Sequence, residues 1–301
     1  MIDFSRFVGP LLLLVIKVLG YIPRPMGIGI GRVIGRLLFT FDRKHRRIAT
    51  DNVSRAYGWP PQSTAVYWIV RQVFNNLGTM IFEIAWAGGL APELHSKYFS
   101  INGAEHYYRA MQKGKGALLL TAHMGNWELF SIIAHMAGIP VNVVYRPLDN
   151  RALDDAVKQL RCRFGAELIP TKRAIFKMVK ALKKQEYVAM LMDQNVDWYN
   201  GVYVDFFGRR ACTNKGLAII ALRTEAPVVP VFMLRKGNGF RAEVCPEIPL
   251  IKTGDKQKDI EMNTENYNQA IEAIIRRYPD QWFWVHQRWK TKSYCVWPRE
   301  S

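Results

Sequence analysis

The chain has 301 residues, 49% of them hydrophobic, with 42 Lys and Arg against 25 Asp and Glu, a net +17 and a pI near 9.8. That length buries a sizeable core as one large domain or two small ones, and that apolar content excludes a disordered chain. The charge calls for an anionic partner; no zinc spacing, RNP-like strand or basic zipper supports nucleic acid, and nine Trp and 15 Phe beside basic residues favour a membrane interface.

Residues 8–20 are strongly apolar, but Lys17 interrupts them and the run is short of the about 20 residues that span a bilayer. A second apolar stretch, Met26 to Phe41, carries Arg32 and Arg36 four apart, on one helical face. Asp3 offsets Arg6 and no small-residue cleavage site follows, so this is not a signal peptide. Residues 1–58 hold ten Lys and Arg against three acids, a net +7 suited to an anionic leaflet. They are expected to form one or two helices lying on or dipping into a membrane, ahead of a second unit spanning 59–301.

Residues 61–90 read as a helix, with Val70, Val73, Leu77, Ile81 and Ile84 on one side and a kink expected near Asn75, Asn76 and Gly78. A short helix follows around Glu105 to Met111. Strands and helices then alternate: strand Ala117–Ala122, helix Trp127–Ala137, strand Val141–Tyr145, helix Ala152–Phe164, strand Ala166–Ile169, helix Ala174–Lys184. Strand Val188–Met192, helix Lys215–Arg223 and strand Val228–Leu234 continue the series. The apolar runs are short and continuous, as in strands buried on both faces. The expected fold is α/β, a mostly parallel central sheet flanked by helices on both faces, with an N-terminal membrane-associated helical segment. Phe240–Val244 alternates and is expected to add an antiparallel strand, and Glu265 to Arg277 a last helix. Cys162, Cys212, Cys245 and Cys295 are scattered, without a C-x-x-C, and are expected to be free, buried thiols rather than metal ligands or a disulfide framework.

Within this frame Thr121-Ala122-His123-Met124-Gly125-Asn126-Trp127-Glu128 stands where a buried strand ends and a helix begins. Open α/β sheets place ligands at such carboxyl ends. His123 precedes the helix and Glu128 falls in its first turn, so the two are expected to pair, Glu128 orienting the imidazole and the other nitrogen taking a proton from an attacking hydroxyl. No Ser or Cys in the segment offers an enzyme nucleophile, which favours direct transfer to a substrate hydroxyl. Further blocks sit at or after strands: Tyr145-Arg146-Pro147, Asp193-Gln194-Asn195, Gly201 to Gly208 running on to Ala211-Cys212-Thr213-Asn214-Lys215, and Pro279 to Lys290 with three Trp.

Together these blocks resemble the late acyltransferases of lipid A biosynthesis, the lauroyl/myristoyl transferase type, within the lysophospholipid acyltransferase superfamily. The resemblance runs over nearly the whole chain. It implies that His123 and Glu128 are the catalytic pair of a His-x4-Asp/Glu signature, and that Arg146 serves phosphate or the developing oxyanion. It gives Asp193 a supporting role and has the Gly201–Thr213 block shape an acyl channel. The expected substrate-binding residues are Arg146, Asp193, Gln194, Thr213 and Lys215. Where the lipid A enzymes often carry Asp-Gln-Asp, this chain has Asp193-Gln194-Asn195, which leaves the acceptor open.

The resemblance implies no metal or prosthetic cofactor, an acyl-carrier-protein or coenzyme A thioester as co-substrate, a lipid acceptor, and a place on the cytoplasmic face of a bacterial inner membrane. Three alternatives stay open: an acyltransferase for a lysophospholipid or mannosylated inositol lipid, a hydrolase, and a non-catalytic basic lipid-binding protein. Trp282, Trp284, Trp289 and His286 are expected to be structural.

Overall fold

A computed structural model describes residues 5–172 and 174–292. Three helices open it, α1 (Ser5–Leu19), α2 (Arg24–Phe41) and α3 (Arg43–Tyr57), followed by the long α4 (Thr64–Gly89). The sequence's expectation of one or two N-terminal helices thus becomes three, because Asp42 accepts from the His45 N–H, closing α2 and capping α3. After α4 come α5 (His95–Tyr98), β1 (Phe99–Asn102), α6 (Ala104–Met111), β2 (Ala117–Thr121), α7 (Phe130–Met136), β3 (Val141–Tyr145) and α8 (Arg151–Cys162). Then follow β4 (Glu167–Pro170), α9 (Ala174–Lys183), β5 (Tyr187–Leu191), β6 (Gly201–Phe206), β7 (Arg209–Asn214), α10 (Gly216–Thr224), β8 (Val228–Lys236), β9 (Gly239–Val244) and α11 (Lys256–Arg277).

Seven strands form one sheet in the order β1-β9-β8-β2-β5-β3-β4. Five of them, β8, β2, β5, β3 and β4, run parallel; β9 returns antiparallel to β8, as its alternation indicated, and carries β1 parallel to itself. Successive side chains of a strand point to opposite faces. Leu118 and Leu120 therefore enter a core built with α3, α4, α9, α10 and α11, while Ala117 and Leu119 enter a second core with α6 and α7. Both faces are covered, so no strand of the centre has an alternating polar side.

Four details depart from the sequence reading. α4 runs unbroken past Asn75, Asn76 and Gly78, because Gly78 is where α2 crosses it: a Cβ there would lie 2.1 Å from the Gly31 carbonyl oxygen. β6 and β7 form an antiparallel hairpin that had not been read as strands; its two-residue turn, Phe207-Gly208, has positive φ at both positions, the geometry that matches strand twist. α11 begins at Lys256 because Asp255 caps it, accepting from the Gln257 and Lys258 N–H groups. Among the described cysteines only Cys212 is buried; Cys162 is exposed and Cys245 half-buried, all three free, and Cys295 lies outside the described residues.

Candidate active site

Register brings the site together. β2 and β5 are parallel neighbours with Thr121 opposite Leu191, so the residues two beyond each strand, His123 and Asp193, face one another at the carboxyl edge. The Met192 N–H donates to the Thr121 carbonyl (3.1 Å) and carries the ladder one step past the strands. His123 Nδ1 then lies 2.8 Å from Asp193 Oδ1, and the His123 backbone N–H donates to Asp193 Oδ2 at 2.9 Å. The Trp282 indole N–H donates to the same Oδ2 at 2.7 Å.

Asp193 is 1% exposed. Burial pushes its carboxyl up, but His123 beside it and the Trp282 and backbone donors outweigh that and hold it down at about 2. An ionised carboxylate only accepts, so Nδ1 of His123 carries a proton, and in the neutral form of the ring Nε2 presents its lone pair. Gln194 stands there, its amide nitrogen 3.2 Å from Nε2.

The loop after β2 is held from behind. Gly125 has φ of +57°, and a Cβ on it would lie 2.3 Å from the Met233 carbonyl oxygen of β8; only glycine lets the loop lie this close to the sheet. Its N–H donates to the Gln281 carbonyl. Asn126, fully buried, donates to Glu83 (2.9 Å) and to the Met80 carbonyl. Arg235 grips Glu83 with two bonds of 2.8 and 2.7 Å, so this buried carboxylate is paired.

Glu128 is placed differently from the sequence expectation. It does not bond to the imidazole; its two oxygens take the Nε–H and a terminal N–H of Arg161 on α8, at 2.8 and 2.6 Å. It also accepts the Trp127 indole N–H at 3.1 Å, and the Trp127 ring stands edge-on to the His123 ring, centroids 4.9 Å apart. The physical reason is the backbone between them: four residues, including the positive-φ Gly125, lead into a 3-10 turn at Trp127–Leu129 that turns Glu128 toward α8. Glu128 therefore reaches His123 through Trp127, and Asp193 stands in the position beside Nδ1 that the sequence reading gave to Glu128.

The remaining expected residues divide. Arg146 is exposed at the carboxyl end of β3, a sheet neighbour of β5. Lys215 is half-buried at the start of α10, with its N–H on the Asn200 carbonyl. Thr213 is not a surface group: it is fully buried, and its hydroxyl receives Asn268 at 3.1 Å and Arg288 at 2.5 Å. Asn195 points inward as well, exchanging two side-chain bonds with Thr291, while its N–H donates to His286 Nε2 at 2.9 Å. Burial holds His286 down at about 4, so it is neutral and free to accept.

Two partners were missed in the sequence, Trp282 and Arg161, and a third residue, Arg288, was expected to be structural. Trp282 had been read as packing, yet a buried indole N–H needs an acceptor and finds Asp193. Arg161 sits in an amphipathic helix with nothing to single it out. Arg288 is fully buried with no carboxylate bonded to it among the described residues; it donates to the Cys212 carbonyl and Thr213, and burial lowers it to about 10 against the opposing pull of Asp193.

A cavity of about 480 Å³ opens beside Phe283, whose ring centroid lies 6.0 Å from that of His123. Leu38, Ile48, Phe74, Leu77 and Val285 form its apolar wall, and Lys44 and Lys290 line its polar part together with Asp42, His45, His286 and Gln287. Among the described residues no group of His, Cys, Asp and Glu could hold a metal ion.

The model of the bacterial lipid A biosynthesis acyltransferase family matches residues 5–291. The lipid A biosynthesis palmitoleoyltransferase of Escherichia coli (strain K12) is 26% identical over 276 residues, 90% of this chain and 87% of that protein. The lipid A biosynthesis lauroyltransferase of the same strain is 26% identical over the same share of each. A phosphatidylinositol mannoside acyltransferase of Mycolicibacterium smegmatis is 26% identical over 188 residues, 62% of this chain and 60% of that protein.

Proposed function

The chain belongs to the bacterial lipid A biosynthesis acyltransferase family and is an O-acyltransferase, and from that premise we propose that it moves a fatty acyl group from an acyl-carrier-protein thioester to a hydroxyl of a lipid A precursor. The observation that carries the mechanism is the His123–Asp193 pair, with Nδ1 bound to a buried carboxylate and Nε2 left as the base. Nε2 takes the hydroxyl proton as the acceptor oxygen attacks the thioester carbonyl. The tetrahedral oxyanion needs donors, and Arg146 at the neighbouring strand end is the charged candidate. When the C–S bond breaks, the imidazolium returns the proton to the departing thiolate. Asp193 stabilises the imidazolium meanwhile; Glu128, with Arg161, holds Trp127 against the ring.

The cavity beside Phe283 suits a fatty chain, and Lys44 and Lys290 suit an anionic head group or carrier. Residues 1–58 serve as the membrane-facing unit and 59–301 as the acyltransferase unit. No helix among the described residues is long and apolar enough to cross a membrane. Leu11, Leu14 and Val18 on α1 and Met26, Val33, Leu37 and Phe41 on α2 are all more than half exposed, and Arg32 and Arg36 are exposed beside them. Such a surface fits helices lying in the cytoplasmic leaflet of the inner membrane.

The test is a transfer assay on the purified protein with labelled acyl-carrier-protein donors of several lengths, offering a lipid A precursor and a lysophospholipid separately, beside His123→Ala. Product on the lipid A precursor, lost in the variant, is expected. Product only on the lysophospholipid moves the acceptor to another branch, and full activity in His123→Ala removes the mechanism.

A further inference from the structure

Gln194 is held differently from both of its neighbours. Asp193 accepts three hydrogen bonds of 2.7–2.9 Å in a fully enclosed position. Asn195 is tied by its backbone to His286 and by both ends of its amide to Thr291. Between these anchors the half-buried Gln194 side chain makes one hydrogen bond among the described residues, the 3.2 Å contact to His123 Nε2. The backbone is pinned on both sides while the carboxamide hangs on a single neutral contact.

That contact occupies the lone pair that the reaction needs. The carboxylate of Asp193 obliges Nδ1 to donate, so Nε2 accepts, and the Gln194 NH₂ is its donor. An acceptor hydroxyl must take this place before it can be deprotonated. Water must take it too, and water is the competing nucleophile. Its oxygen would attack the thioester carbonyl, Nε2 would take its proton, the C–S bond would break and the thiolate would recover the proton, leaving a free fatty acid and a thiol.

We propose that the Gln194 carboxamide is a displaceable cap on the base, which denies Nε2 to water and yields to the acceptor hydroxyl. The proposal rests on His123 being the general base. A bound acceptor displaces the amide because its other contacts to the protein offset the loss of one neutral hydrogen bond, whereas a water molecule brings no such contacts. The cap thereby favours transfer over hydrolysis. It also keeps the ring seated on Asp193 in the absence of substrate.

The test uses the full chain with Gln194→Met, which keeps length and removes the donor, and Gln194→Ala, which removes the side chain. Each is given an acyl-carrier-protein thioester alone, to measure fatty acid release, and the thioester with a lipid acceptor, to measure transfer. Loss of one neutral hydrogen bond sets the scale: hydrolysis without acceptor is expected to rise about five- to tenfold in both variants, and the ratio of hydrolysis to transfer by at least as much. Hydrolysis at or below the wild-type rate in both variants overturns the cap. His123→Ala, alone and combined with Gln194→Met, is expected to lose both reactions. If His123→Ala still transfers, the general base itself is wrong; if it is dead while Gln194→Met hydrolyses at the wild-type rate, the cap alone is wrong.

Discussion

His123 and Asp193 are 70 residues apart in sequence and 2.8 Å apart in space, because each stands two residues beyond paired positions on adjacent parallel strands. On the proposed mechanism the carboxylate fixes the ring tautomer and stabilises its cation. Asp193→Asn keeps the shape and reverses the hydrogen-bond logic, and should lower kcat about 10³- to 10⁴-fold, as loss of an orienting carboxylate does elsewhere. Glu128→Gln acts only through Trp127 and should cost about 10- to 100-fold, the scale of a small misplacement. Steady-state kinetics on both variants decides the order. A Glu128 variant weaker than the Asp193 variant would restore the direct pairing expected from sequence.

Asp193 also makes stability depend on acid. Its carboxyl is held at about 2 in the folded protein, below the about 3.9 of an unfolded chain. A depressed carboxylate contributes stability that is fully present above the unfolded value and lost as pH falls through the folded one. The contribution is about 2–3 kcal/mol at neutral pH, with about half left at pH 3. Denaturant unfolding of wild type and Asp193→Asn between pH 6 and 3 should show the gap between them narrowing below about pH 4. A constant gap would mean that this group is not the source.

Arg288 is also a buried charge of this region, and among the described residues no carboxylate touches it. Its guanidinium lies 4.9 Å over the Phe206 ring, and Asp193 is the acid that favours its charged form. Arg288→Met would leave the Thr213 hydroxyl and Cys212 carbonyl without these donors and Asp193 less compensated. A loss of about 1–3 kcal/mol is expected, the scale of leaving buried acceptors without their donors. Pairing the change with Asp193→Asn in a double-mutant cycle should give a coupling above about 1 kcal/mol. Additive losses would show the two charges to be independent.

What the sequence made legible was local. The apolar and alternating runs located six of the nine strands within one or two residues, β9 and its return among them, while β1, β6 and β7 were not read. The place of His123 at a strand's carboxyl end was legible from the apolar run before it. Its partner was not, because pairing depends on the register of β2 with β5, which no local pattern encodes. The same holds for Trp282, which reaches Asp193 from 89 residues away, and for Arg161. Thr213 was expected at the site only through the resemblance, and its burial was not legible because it depends on Arg288 coming from the C-terminal segment to its hydroxyl. The β6–β7 hairpin was hidden by a phenylalanine at a positive-φ turn position, held there by its N–H on Glu272 at 2.7 Å.

The glycines of α2 join the N-terminal helices to the rest. Gly31 and Gly35 lie against α4 so closely that Cβ atoms would meet the Thr79 Cα at 2.6 Å and the Phe74 carbonyl oxygen at 2.4 Å. The obstacles are backbone atoms, so the helices themselves must part. Gly78→Ala, facing both glycines, should cost about 1–3 kcal/mol, the price of overpacking. Thermal unfolding measures it, and an unchanged midpoint would show that the crossing is looser than this geometry.

The outer side of α2 makes a separate prediction, because Arg32 and Arg36 pair with no acid among the described residues and stand exposed among Val33, Leu37 and Phe41. Cations so placed gain about 1 kcal/mol each near an anionic leaflet, an attraction that salt screens. Arg32→Gln with Arg36→Gln should therefore lower partition onto anionic vesicles by about 10- to 30-fold at low salt. Partition onto zwitterionic vesicles should hold, since the apolar side chains are untouched. Flotation of both proteins with both vesicle types tests this directly. Equal loss on the two surfaces would mean that the arginines support the fold of α2 rather than its contact with charge, and the membrane-facing role would then rest on the apolar residues alone.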